Sequence, residues 1–193
     1  PLFMPTYGMI LYMAAMLVRT PNLPSIYIYT SVITTFVLTA LIPIILMLIL
    51  WKRGSISSLH IDNASERTTP YIYTLICFGF WCYFVGDILK MPVVWLVVAI
   101  GATAALLAVT IINRWWKISA HLTALGGLLG GAFSIALYYS ALPTLLIIGI
   151  LIVSLLLMYA RLYLNAHTPM QVVCGYILGL LCTFTPNLII FHA

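Results

Sequence analysis

An all-α, polytopic membrane helical bundle of about seven transmembrane helices is the fold class this sequence predicts, on three observations. Of 193 residues, 64% are hydrophobic and only 6% charged, against about 25% charged in soluble domains. With a mean hydropathy of +1.18, an ordinary water-soluble domain is excluded. Uncharged stretches recur at close to the ~20 residues that cross a bilayer core. They are apolar on all sides, whereas the strands of a membrane barrel alternate at every second residue, so helices are expected.

The spans fall near residues 3–18, 27–50, 70–89, 92–112, 119–140, 142–160 and 168–190. The first stops at Arg19 and the second at Lys52 and Arg53. The third opens at Pro70, a residue suited to a helix start, and stops before Lys90. The fourth stops before Arg114. From Ile118 to Ala160 no Asp, Glu, Lys or Arg occurs, so the Tyr-Tyr-Ser-Ala-Leu-Pro sequence at 138–143 is the expected turn between the fifth and sixth spans. The sixth stops at Arg161, and the seventh follows His167. The chain opens at Pro1 without a methionine, as expected of a trimmed amino end.

Threading the spans alternately through the membrane collects the loops 51–69, 113–118 and 161–167, with the amino terminus, on one side. That side holds Lys52, Arg53, Arg67, Arg114, Lys117 and Arg161, against Arg19 and Lys90 on the other. It also holds His60, His121 and His167, while His192 lies opposite. Positive-inside bias would turn this face to the cytoplasm. If Arg67, Arg114, Lys117 and Arg161 are kept for chemistry, two basic residues remain on each side and the bias chooses neither. The net charge of +5 is too small and scattered for a nucleic-acid footprint, and anionic lipid or phosphate suits it better as a partner. Cys77, Cys82, Cys174 and Cys182 lie in apolar runs without metal-ligand spacing and read as packing residues.

Gly126 and Gly130, Gly127 and Gly131, and Gly175 and Gly179 form small-xxx-small pairs, which let backbones touch. They are expected to bring together the helices that begin beside His121 and His167.

Three polar segments have ordinary readings when taken singly. Arg161 and His167 suit interfacial anchors, Asn113 to His121 an aromatic and basic belt, and Asp62 to Pro70 a solvated loop. On one face they combine Arg, Lys, Ser and two His, the donors a phosphate group requires. Guanidinium forks match phosphate oxygens two at a time, and Lys adds a point charge. One His could attack phosphorus while the other protonates the departing oxygen, a scheme that needs no metal. His60 reads as a solvated loop residue. A transporter needs a polar path, and apart from Asp87 near the far surface the helix interiors lack ionisable residues.

These residues resemble the type 2 phosphatidic acid phosphatase (PAP2) superfamily, the membrane relatives of vanadium haloperoxidases. Its motifs are Lys-x6-Arg-Pro, Pro-Ser-Gly-His and Ser-Arg-x5-His-x3-Asp. The third is matched by Ala160-Arg161, five residues, His167, three residues and Gln171; the second by Ser119-Ala120-His121. The first survives as Arg67-Thr-Thr-Pro70, with Asp62 where the Lys would stand. The 39 residues between His121 and Arg161 suit the family's spacing.

The resemblance covers roughly residues 60–185. It implies a PAP2/haloperoxidase-like core over 60–193, preceded by two amino-terminal helices over 1–59, one helix more than the usual six. It implies His167 as nucleophile, His121 as acid for the leaving group and Gln171 at the position of the orienting Asp. Arg161, Ser119 and Arg67 become phosphate ligands, to which charge and position add Lys117. The implied substrate is a lipid phosphate or a polyprenyl pyrophosphate, hydrolysed without cofactor in the plasma or inner membrane of a bacterium. The alternative is a degenerate relative that binds or carries lipid phosphates without hydrolysis, because Gln171 carries no charge.

Overall fold

The computed structural model describes residues 1–58, 65–139 and 144–192. His60 and Asp62 therefore lie outside the described residues, as does most of the expected turn at 138–143. Seven helices make up the described residues, with no strand among them: α1 Met4–Arg19, α2 Ser25–Lys52, α3 Thr68–Ile88, α4 Val93–Ile112, α5 Ala120–Tyr139, α6 Thr144–Tyr163 and α7 Pro169–His192. The protein is an integral membrane protein: α2 to α7 are each long and apolar enough to cross a bilayer. The first expected span, 3–18, forms the shorter apolar helix α1. At ~1.5 Å per residue, the 16 residues of α1 reach about 24 Å, less than a ~30 Å hydrocarbon core.

Two helices carry widened turns. In α2 the segment Val37–Leu41 is a π-turn, and Ile42 N–H reaches back five residues to the Val37 carbonyl. Pro43 follows it and has no N–H for the Thr39 carbonyl, so the wider turn absorbs the ring without breaking the helix. The last turn of α3, Phe84–Ile88, is also a π-turn. Pro186 in α7 likewise leaves the Cys182 carbonyl without its helical donor, and Gly101 of α4 packs directly on that carbonyl.

The most extensive helix contact is between α5 and α7, and glycine makes it possible. A Cβ at Gly179 would collide with the Thr123 carbonyl oxygen and stand 2.7 Å from the Gly127 nitrogen; one at Gly126 would collide with the Tyr176 carbonyl oxygen. Of the expected small-residue pairs, only Gly131 turns elsewhere, toward Val98 of α4. Lipid offers little hydrophobic drive for helices to associate, so close packing and interhelical hydrogen bonds must hold such a seam. Thr183 Oγ1 lies 3.0 Å from the Gly127 carbonyl across it, Ser134 Oγ donates to the Thr183 carbonyl at 3.1 Å, and Asn187 Nδ2 donates to Ser134 Oγ at 3.1 Å.

The amino-terminal helices join this core through aromatic rings. Tyr12 of α1 stacks on Trp95 of α4 with centroids 4.8 Å apart, and Tyr139 of α5 donates to its hydroxyl at 3.3 Å. Trp81 of α3 donates from Nε1 to Thr35 Oγ1 of α2 at 3.0 Å. Three helices, α1, α3 and α4, thereby share one buried cluster of Met9, Tyr12, Met13, Phe78, Trp81 and Trp95.

Overpacking at the seam has a built-in control, since a Cβ at Gly149 of α6 meets nothing within 4 Å. Gly179→Val is expected to destabilise the protein by at least about 1–3 kcal/mol, and Gly149→Val by far less. Thermal unfolding in detergent checks this; equal melting of the two variants would contradict the seam's role.

Candidate active site

The segment from Arg161 to Gln171 is a helix stop joined to a helix start. Asn165 adopts φ 49°, the left-handed conformation that Asn tolerates better than most residues. Its N–H donates to the Leu162 carbonyl at 3.0 Å, and Ala166 N–H to the Arg161 carbonyl at 3.1 Å. This is the Schellman pattern, which ends α6 one turn beyond Arg161 and satisfies its last carbonyls. Thr168 then caps α7: Gln171 N–H donates to Thr168 Oγ1 at 3.4 Å, and Thr168 N–H to Gln171 Oε1 at 3.1 Å. The reciprocal pair is a capping box, followed by Pro169 at the first helical position. His167 stands between stop and start, so its spacing from Arg161 and Gln171 follows from local backbone chemistry.

Two oxygens face the His167 Nδ1: the Lys117 carbonyl at 3.0 Å and Gln171 Oε1 at 3.2 Å. A carbonyl oxygen only accepts, and the Thr168 N–H orients the Gln171 amide with its oxygen inward. Nδ1 therefore carries the proton, and Nε2 keeps the lone pair. Burial pushes the imidazole below its ordinary value of 6.5. The bonds to Lys117 and Gln171 oppose that shift, while the charges of Arg161 and Lys117 add to it.

The start of α5 crosses the start of α7 at the same level. Ser119 N–H donates to the Gln171 carbonyl at 3.3 Å, and a Cβ at Gly175 would stand 2.8 Å from the Ser119 carbonyl oxygen. This crossing carries His121 toward His167. Arg67, His121, Arg161 and His167 all line one cavity of about 610 Å³, and His121 lies within electrostatic reach of the other three. Among the described residues no carboxylate lines this cavity, and no three His, Cys, Asp or Glu cluster as metal ligands would. Below the cations the wall is almost wholly apolar.

The remaining expected residues stand apart from the cavity. Lys117 holds His167 through its carbonyl and lines, with Asn165, Thr168 and Gln171, a neighbouring cleft that His167 shares. Ser119 is fully buried, and its hydroxyl meets no hydrogen-bond partner among the described residues. Gln171 reaches the chemistry only through Nδ1.

Two features were not anticipated from the sequence. Tyr71, in the first turn of α3, lines the cavity within electrostatic reach of Arg67 and Arg161. Its one local signal is its place directly after Pro70. Glu66 accepts from Ser57 N–H at 2.7 Å and Ser57 Oγ at 2.8 Å, pinning the loop after α2 beside Arg67.

No curated protein and no solved structure matches the chain. The family model of the PAP2 superfamily matches residues 97–191, a segment that contains Lys117, Ser119, His121, Arg161, His167 and Gln171 but not Arg67. Residues 97–191 are thus a PAP2-superfamily segment, and that superfamily includes phosphatases and haloperoxidases.

Proposed function

We propose that this protein is an integral-membrane phosphatase that hydrolyses a lipid phosphate or pyrophosphate through a phosphohistidine at His167, without a metal. The observation that carries the reading is the locked His167 ring, whose Nδ1 is held by two oxygens so that Nε2 keeps its lone pair, in a cavity shared with Arg67 and Arg161 and lined, among the described residues, by no carboxylate. Guanidinium groups and a histidine pair suit an anion, and the apolar continuation of the cavity suits an anion on a hydrocarbon chain.

In the first step the Nε2 lone pair bonds to phosphorus as the ester P–O bond breaks, and His121 gives its proton to the departing oxygen. Arg161 and Arg67 hold the non-bridging oxygens, where charge is greatest. In the second step water attacks the phosphohistidine, its proton passes to His121, and the P–N bond breaks to release inorganic phosphate. With a pyrophosphate the leaving group is the lipid monophosphate. The Lys117 carbonyl and Gln171 Oε1 hold the Nδ1 proton throughout, and neither carries a charge to balance the positive ring of the intermediate.

That last point favours one alternative, a binder of lipid phosphates with little turnover. In Gln171→Asp a carboxylate at the same helical position would stabilise the charged ring. Turnover is expected to rise in this variant if the enzyme is merely slowed; an inactive protein that stays inactive supports the binder.

His167→Ala is expected to lower phosphate release by at least about 10³-fold, and His121→Ala by about 10²- to 10⁴-fold. Release in the wild type should withstand chelator. Purified protein with phosphatidate, phosphatidylglycerol phosphate and polyprenyl pyrophosphate provides the assay, and full activity in His167→Ala would exclude the mechanism.

The nucleophile must be neutral, and its depressed pKa keeps it so below pH 6.5. The acid limb of kcat/KM is therefore expected below 6.5. Gln171→Asp should move it upward, because a carboxylate favours the charged ring, and a pH–rate profile of both proteins reads the shift.

A further inference from the structure

The cavity has a wall that the family match does not include. Gly8, Leu11, Ala15 and Val18 of α1 line it at the helical spacing of three and four residues, and α1 lies wholly outside residues 97–191. The opposite face of α1 is held in the core by Met9, Tyr12 and Met13, each at most 2% exposed. The stripe is thus a fixed surface, with small residues at two of its four positions.

Three observations identify the occupant. Arg67, His121, Arg161 and His167 stand in the lining of this same cavity, so the ligand bears an anion at one end. Met4 and Val18 both line it, and the 14 helical steps from one to the other span about 21 Å at ~1.5 Å each, beyond the middle of a ~30 Å hydrocarbon core. The cavity, of about 610 Å³, has room for a long hydrocarbon chain laid along this stripe.

We propose that α1 is a gauge for substrate tail length, and that the cavity receives the single hydrocarbon chain of a phosphorylated lipid along the stripe from Gly8 to Val18. The inference rests on the phosphate site proposed above. A lipid with two tails would have to leave one of them outside, between helices. Bulk added to the stripe shortens the chain that fits while leaving the phosphate end untouched.

The test uses purified protein in detergent with n-alkyl phosphates of increasing length, phosphatidate, and phenyl phosphate as a tail-free control. Ala15→Phe is expected to lower kcat/KM for the longest chain roughly tenfold or more and to move the optimum to shorter chains, with phenyl phosphate unchanged. Val18→Trp, at a position 83% exposed and so open to a larger side chain, should do the same at the far end should Ala15→Phe fail to fold. Unchanged length preference in both variants would overturn the proposal, as would turnover of phosphatidate equal to that of the best single chain.

A second readout separates this proposal from the catalytic one. Trp81 and Trp95 line the cavity, so an alkyl phosphate brominated near its chain end should quench tryptophan fluorescence in the wild type and less in Ala15→Phe. Quenching of this kind without phosphate release refutes catalysis and leaves the gauge standing. Equal quenching in wild type and Ala15→Phe refutes the gauge.

Discussion

Close backbone contact between α5 and α7 is the constraint on which the rest of this molecule depends. Both helices begin on the cationic face, and each brings one histidine, so the distance between their axes sets the relation of His121 to His167. Gly126, Gly175 and Gly179 leave no room for a Cβ, and their neighbours are backbone atoms that cannot swing aside. In lipid this closeness supplies much of the attraction as well as the geometry. The Thr183, Ser134 and Asn187 hydrogen bonds then resist sliding of one helix along the other.

The seam also explains how a neutral residue can serve where the related motif carries an acid. His167 is aligned by a backbone carbonyl from the start of α5 as well as by Gln171 from its own helix. Orientation of the ring therefore survives without a carboxylate, whereas charge compensation does not. Gln171 is divided between two tasks, since the oxygen that faces the imidazole also caps α7 through Thr168. An Asp at this third helical position could also cap the helix, so local folding does not demand Gln.

Electrostatics and packing are arranged in sequence down the cavity. Arg67, His121, Arg161 and His167 come from the starts of α3 and α5, the end of α6 and the loop before α7, and meet at one end of the cavity. The starts of α3, α5 and α7 also lie on this face, where helix dipoles favour negative charge. Below them the apolar walls belong partly to α1, whose attachment through the Tyr12 and Trp95 stack makes it part of the bundle.

Much of this was legible in the linear chain. Charge-free length predicts the spans because a bilayer penalises charge everywhere along a helix, and the observed helices follow those spans within a few residues. Gly175 and Gly179 announce close approach because only a missing side chain permits it. The Arg161, His167 and Gln171 spacing is local, written by a helix stop at Asn165 and a capping box at Thr168. What the chain does not spell out are contacts between distant segments and contacts made by the backbone. The Lys117 carbonyl has no side-chain signature, so its hold on the His167 ring 50 residues away appears only once α5 and α7 are packed. The same packing buries the Ser119 hydroxyl and sets Lys117 at a cleft that His167 shares with the cavity. Helix placement along the membrane is a one-dimensional consequence of solvation and is therefore written in residue order. The site and its α1 wall arise where helices cross, and crossing is decided by three-dimensional packing.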